Sequence, residues 1–193
     1  MEKEKQAGTN RSGQNKAKKI ALTAVALALS YAVSLISFPL FPAAPWLKLD
    51  FSYAIMLLAA YLLGPLAAEA IVLLLQVLSL FNTQTGGVGE LANFIMANIF
   101  VVLPAVVYRY KKGLVSVIVT LILCSVGQIF AAMFTNALLL YPLFFGGGAS
   151  AKFWGTVWYI VAYNAIKCVS NGLITVLIYK RLRNLLSKWV ELR

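Results

Sequence analysis

Apolar residues in this chain come in long uninterrupted runs, broken by short polar or glycine- and proline-rich stretches. A helix needs about 20 predominantly apolar residues to cross the hydrocarbon of a bilayer. On that measure the runs predict six spans, at about 17–37, 51–64, 66–81, 90–108, 114–142 and 153–179. The second and third are short and meet at Gly64-Pro65, a tight turn, so they are expected to tilt or to cross in part. Residues 1–16 are polar and read as a disordered tail, and 184–193 read as a basic C-terminal end. The predicted fold class is an all-α integral membrane protein, a six-transmembrane-helix bundle over 17–183. A transmembrane β-barrel would alternate apolar and polar residues, which this chain does not do.

The segment Phe38-Pro39-Leu40-Phe41-Pro42-Ala43-Ala44-Pro45-Trp46-Leu47-Lys48-Leu49-Asp50-Phe51 breaks the pattern between the first two spans. Proline gives no backbone donor, and the residue before it is pushed toward extended geometry. This segment cannot continue a helix, yet it is too apolar for an ordinary wet loop. It is expected to be an ordered extracellular loop that covers a site.

Composition agrees with the membrane reading. Of 193 residues, 61% are hydrophobic and 12% charged, with mean hydropathy +0.83, whereas a soluble domain is about a quarter charged. The length holds one bundle and no second domain of ordinary size. The net charge of +11 invites a nucleic-acid partner, but its placement argues for topology instead. Lys3, Lys5, Arg11, Lys16, Lys18 and Lys19 precede the first span. Arg109, Lys111 and Lys112 fall between the fourth and fifth, and Lys180, Arg181, Arg183, Lys188 and Arg193 follow the sixth. With six spans these clusters share one face, which the positive-inside rule makes cytoplasmic. Both termini are then cytoplasmic, and loop 38–51, the glycine-rich loop 81–89 and Gly146-Gly147-Gly148 lie outside. Anionic lipid, and no nucleic acid, is the expected partner of the basic residues.

Candidate chemistry narrows the picture. The chain has no histidine, and Cys124 and Cys168 lie inside apolar runs without metal-ligand spacing. No Walker motif and no nucleophile–base–orienter set is present, so no enzyme activity, metal or cofactor is expected. The first run is long and lacks a clear cleavage site, so it reads as a span rather than a signal peptide. Lys167 lies midway along the sixth span, where a lysine costs at least ~2.5 kcal/mol on insertion scales. Asn164, Lys167 and Asn171 share one helix face, and Gln128 and Asn136 add buried amides on the fifth span. Two readings are open. Lys167 pairs with Glu69 or Glu90 and the amides glue helices together, or the group lines a cavity. Amides and an ammonium would suit a heterocycle with carbonyls and ring nitrogens. Ala24, Ala28 and Ala32 form a small-residue stripe on the first span that lets another helix approach.

The order of these motifs resembles a known family. The small-residue first helix is followed by Phe38-Pro39, Trp46-Leu47-Lys48-Leu49-Asp50-Phe51-Ser52 and Gly64-Pro65-Leu66-Ala67. Then come Val88-Gly89, Ala92-Asn93-Phe94, Asn136 ahead of Leu139-Leu140-Tyr141-Pro142-Leu143, and Asn164-Ala165-Ile166-Lys167. Together they resemble the riboflavin-binding subunit, or S-component, of energy-coupling factor (ECF) vitamin transporters. The resemblance covers nearly the whole chain except the N-terminal tail. It implies a bacterial cell-membrane subunit that captures riboflavin as transported ligand and docks on a transmembrane coupling subunit driven by two ATPase subunits. It implies substrate contacts at Asn136, Asn164 and Lys167, with Gln128, Trp46, Leu47, Leu49, Asp50, Gly89 and Asn93 around them. It also implies partner docking through Ala24, Ala28 and Ala32. Tyr53 stands where the family usually carries an aspartate. A related flavin (FMN) or another vitamin as cargo, or a membrane scaffold without ligand, remain open alternatives.

Overall fold

The structure, a computed structural model, describes residues 2–83 and 85–190, with side chains described for 14–83 and 85–181. Helix α1 (Glu2–Leu35) is continuous, so the backbone of 2–16, expected as a disordered tail, is helical. Loop 38–51 leads to α2 (Ser52–Leu63). That helix stops at Gly64, whose φ of 93° and ψ of 175° belong to a region essentially reserved for glycine. Pro65 then opens α3 (Pro65–Ser79), where its missing N–H leaves nothing unsatisfied. One 3-10 turn, Leu80–Asn82, extends α3.

Helices α4 (Val88–Ala97) and α5 (Leu103–Tyr110) are joined by a π turn at Asn98–Val102. Helices α6 (Leu114–Thr135) and α7 (Tyr141–Phe145) are joined by another at Asn136–Leu140. Both π turns run into a proline, Pro104 and Pro142. The Leu103 N–H reaches back to the Asn98 carbonyl, and the Tyr141 N–H to the Asn136 carbonyl. Each bond skips one residue more than an α-helical bond, and the wider turn accommodates the proline ring. A 3-10 turn at Gly146–Gly148 precedes α8 (Ala149–Val190), which runs on into the basic end 184–193.

Four helical stretches are long and apolar enough to cross a membrane: Gln14–Leu35, Pro65–Asn82, Val88–Tyr110 and Leu114–Arg181. The last doubles back on itself, because α6 and α8 pack along one another. Helix α2 is apolar but short and is embraced by α1, α3 and α8.

Loop 38–51 is ordered and carries the one departure from an all-α description among the described residues. Phe38–Pro39 pairs antiparallel with Lys48–Leu49, in register Phe38 to Leu49 and Pro39 to Lys48. The Leu40 N–H donates to the Leu47 carbonyl at 3.1 Å and closes the ribbon.

Two apolar clusters stack along the bundle. One joins Tyr53, Met56, Leu57, Ile71 and Val72 to Phe100, Val101, Leu121 and Cys168. The other joins Ala44, Leu47 and Leu49 of the loop to Ala92, Met96, Ala132, Tyr141, Phe153, Val157, Ile160 and Tyr163. The loop is therefore packed onto the ends of α4 and α6 and onto α7 and α8 as part of a core. Burying such side chains away from water is worth roughly 1.5–3 kcal/mol each where the loop meets solvent.

Candidate binding site

A polar layer lies between the two apolar clusters. Along α6, Leu121 belongs to one cluster, Ala132 to the other, and Gln128 sits between them. Along α8, Ile160 and Tyr163 belong to the loop-side cluster and Cys168 and Tyr179 to the far one, with Asn164 and Lys167 at the junction and Asn171 one turn beyond. Gln128, Asn164 and Asn171 are at most 2% exposed, Lys167 4% and Asn136 5%. Helical spacing dictates the stripe on α8, since positions 164, 167 and 171 return to one face.

These groups are not equally occupied. Gln128 Nε2 donates to Asn164 Oδ1 at 3.2 Å, and Asn164 Nδ2 donates to the Ile160 carbonyl. Asn136 Nδ2 donates to the Ala132 carbonyl at 2.8 Å. Gln128 Oε1 and Asn136 Oδ1 are buried and have no partner. A buried unpaired acceptor costs about 1–3 kcal/mol, so both oxygens mark places where a donor from outside the chain would be stabilised. Ser30 Oγ on α1 and Tyr61 Oη in the far apolar cluster are also unpartnered, but neither belongs to this layer.

Lys167 is paired, and not as the sequence suggests. Its Nζ lies 3.1 Å from Asp50 Oδ2, so the partner comes from loop 38–51, not from Glu69 or Glu90. Glu90 instead accepts from the Thr83 and Thr85 hydroxyls, each at 2.9 Å. The Lys167 ammonium also sits 4.2 Å from the centre of the Tyr53 ring, a cation–π contact. Asp50 Oδ1 accepts from both the Ser52 N–H and the Ser52 hydroxyl. Burial works against the Asp50 charge, but Lys167 and the Ser52 donors outweigh it and hold the carboxyl below the usual carboxylate range. A desolvated ion pair of this kind requires its extra hydrogen bonds to be tolerated.

The loop residues expected at the site divide. Leu47 and Leu49 are buried in the loop-side apolar cluster, and Asp50 reaches the polar layer. Trp46 is 41% exposed. Asn93 is half-buried, and its carbonyl accepts from the Tyr53 hydroxyl at 3.4 Å. At Gly89 a Cβ would stand 2.6 Å from Thr85 Oγ1. The close approach there is within the loop, where the Gly89 N–H donates to Thr85 at 3.0 Å. That loop is tied by Thr83, Thr85 and Glu90. Ala24, Ala28 and Ala32 are all exposed on α1, leaving that stripe free for a neighbouring helix.

Three contacts of the site leave no mark in the sequence, although Asn171 and Tyr53 themselves stand out there. The Tyr163 hydroxyl donates to the Lys48 carbonyl at 2.6 Å. The Tyr53 ring underlies Lys167. Asn171 bonds the loop backbone (see below). Each depends on a backbone group or ring far away in sequence, which leaves no pattern of its own.

An apolar helical bundle with buried polar groups inside it, capped by an ordered apolar loop, has the build of a multi-pass membrane protein. The comparisons make the class definite. Residues 18–182 match the family described as ECF transporter, substrate-specific component, and the chain belongs to that family. It is 26% identical over 186 residues to the riboflavin transporter RibU of Staphylococcus aureus (strain TCH60), covering 94% of this chain and 98% of that one. It is 27% identical to the riboflavin transporter FmnP of Bacillus subtilis (strain 168), covering 91% and 95%. With RibU of Streptococcus thermophilus (strain ATCC BAA-250 / LMG 18311) it is 30% identical, covering 89% and 85%. A solved S component of a bacterial ECF transporter superposes with a TM-score of 0.76 at 27% identity, covering 89% of this chain and 98% of that one.

Proposed function

We propose that the chain is the riboflavin-capture subunit of an ATP-driven ECF importer. The observation that carries this is the pair of open buried acceptors: Gln128 Oε1 on α6, whose amide bonds Asn164, and Asn136 Oδ1, farther along the helix toward the loop-side cluster. An isoalloxazine edge offers one ring N–H between two carbonyls. It needs acceptors for the N–H and donors for the carbonyls, and amides with an ammonium provide both. The names of the relatives support the same cargo.

In this reading the bundle makes six passes: α1, α2, α3, α4 with α5, α6 with α7, and α8. Both termini are cytoplasmic, since fourteen of the 17 basic residues then fall on one face. Loop 38–51 closes the outer mouth over the ligand. Leu47, Leu49 and Asp50 face the covered side, while Trp46, Gly89 and Asn93 contribute at its rim. The exposed Ala24, Ala28 and Ala32 stripe receives a helix of the coupling subunit, and two ATPase subunits supply the energy. The chain reorients as a body to deliver its cargo. It catalyses no reaction.

A thermal-shift panel tests the cargo. A ligand held only by the folded state stabilises it by about 2.7 kcal/mol at a hundredfold excess over Kd. Riboflavin is expected to raise Tm, while thiamine and biotin leave it unchanged. The phosphorylated flavin reports whether the site tolerates a charged tail. A rise with another vitamin and none with riboflavin would reassign the cargo.

A further inference from the structure

The buried amides of the polar layer fall into two kinds. Gln128 and Asn136 each keep an open acceptor. Asn171 keeps none, although it is 0% exposed. Its Nδ2 donates to the Asp50 carbonyl at 3.0 Å and to the Lys167 carbonyl at 2.9 Å. Its Oδ1 accepts from the Ala54 N–H at 2.9 Å. Ala54 lies in the first turn of α2, and its N–H is shared between Asn171 and the Phe51 carbonyl at 3.2 Å. The residue flanking that end, Phe51, has no side chain to cap it. Asn171 therefore caps α2 from another helix and holds the carbonyl of Asp50 with the same amide.

Two neighbours on α8 grip the same short stretch of loop. Tyr163 takes the Lys48 carbonyl, and Lys167 takes the Asp50 carboxylate. The three contacts fasten residues 48–50, the end of the loop that enters α2. The opposite end, at residues 36–39, is exposed or half-buried and reaches the bundle through its ribbon partner Leu49.

From this geometry we infer that Asn171 is a positioning residue for substrate capture. It fixes the exit end of loop 38–51 on α8, so that Asp50 meets Lys167 and the ammonium is aimed before the ligand arrives. With both N–H groups and its oxygen engaged by the chain itself, Asn171 acts through Asp50 and Lys167 rather than by touching the ligand. This inference rests on the riboflavin-capture reading, and the test separates the two.

The first arm needs no ligand. A thiol placed by Leu49→Cys, in a Cys124→Ser/Cys168→Ser background, is labelled with a maleimide in detergent. Labelling is expected to be slow with Asn171 present and at least tenfold faster with Asn171→Ala. The milder Asn171→Ser, whose hydroxyl can bond back to the Lys167 carbonyl, is expected to speed it too. Equal rates in all three overturn the tether. The second arm measures riboflavin affinity. Asn171→Ala is expected to weaken it at least tenfold in the native chain and to add less than twofold to the loss in a Lys167→Met chain. Losses that multiply independently would make Asn171 merely structural and overturn the inference. If the native chain binds no riboflavin, the capture reading fails and the labelling arm alone decides the tether.

Discussion

At the residue scale, occupied and open hydrogen-bonding groups separate architecture from chemistry. Asn136 keeps Oδ1 buried without a partner. Its replacement by leucine removes that unpaired acceptor and the ligand contact together. Asn136→Leu is therefore expected to raise the Tm of the ligand-free protein and to weaken riboflavin binding by about 1–2 kcal/mol, the value of an ordinary hydrogen bond plus its pairing. Calorimetry with and without ligand reads both signs, and a loss of ligand-free stability would contradict the assignment. At Asp50, the charge is retained because Lys167 and Ser52 hold it. Asp50→Asn leaves the Lys167 ammonium buried without its counter-charge. Breaking such a pair costs about 3–5 kcal/mol, and the fall in Tm in chemical or thermal unfolding checks it. A substitution that leaves Tm unchanged would show that water reaches Lys167. The sequence made Lys167 conspicuous through the cost of burying it. It could not name Asp50, because the pairing crosses from a loop to a helix 117 residues away, and nothing in local spacing records that distance.

At the scale of elements, punctuation residues were the most legible feature. Gly64-Pro65 marked the α2–α3 junction, and the structure puts the break there. Gly64→Ala would force a Cβ into a backbone region with φ of 93°, at a cost of about 1–3 kcal/mol. A fall in Tm without a change in riboflavin affinity is the expected result, and an unchanged Tm would contradict it. Loop 38–51 was legible as ordered and non-helical from its prolines and apolar residues. Its ribbon was not, since two-residue strands carry no alternation to detect. The π turns at Asn98–Val102 and Asn136–Leu140 were also hidden. Proline in a helix signals a disturbance, but whether it kinks, breaks or widens the turn depends on the helices packed around it. The N-terminal segment shows the opposite failure. Its polar composition read as a tail, while α1 is continuous from Glu2.

For the whole molecule, the pattern of exposure separates the surfaces. Helix α1 leaves Ala21, Ala24, Val25, Ala28, Leu29 and Ala32 exposed on one side, and packs its other side on α2 and α3. Under the proposed function that side meets the coupling subunit. Ala28→Leu is expected to leave riboflavin affinity unchanged and to reduce uptake by cells that carry the partner subunits. Uptake at the native level would remove the stripe from the docking surface. Membrane class and helix order were legible because hydropathy and length act over many residues at once. The assignment of individual contacts was not, because it depends on which helix faces meet.

In the proposed function, the buried polar groups Lys167, Gln128, Asn164 and, farther toward the loop, Asn136 hold riboflavin inside the bundle. Titrating riboflavin into the purified, ligand-free protein and following flavin fluorescence tests it most directly, with Lys167→Met measured alongside. Saturable quenching at one flavin per chain is expected, with affinity weaker by about 1.5–3 kcal/mol in Lys167→Met, the worth of a hydrogen bond to a charged group. No quenching by the native chain, or equal affinity in the two proteins, would contradict it.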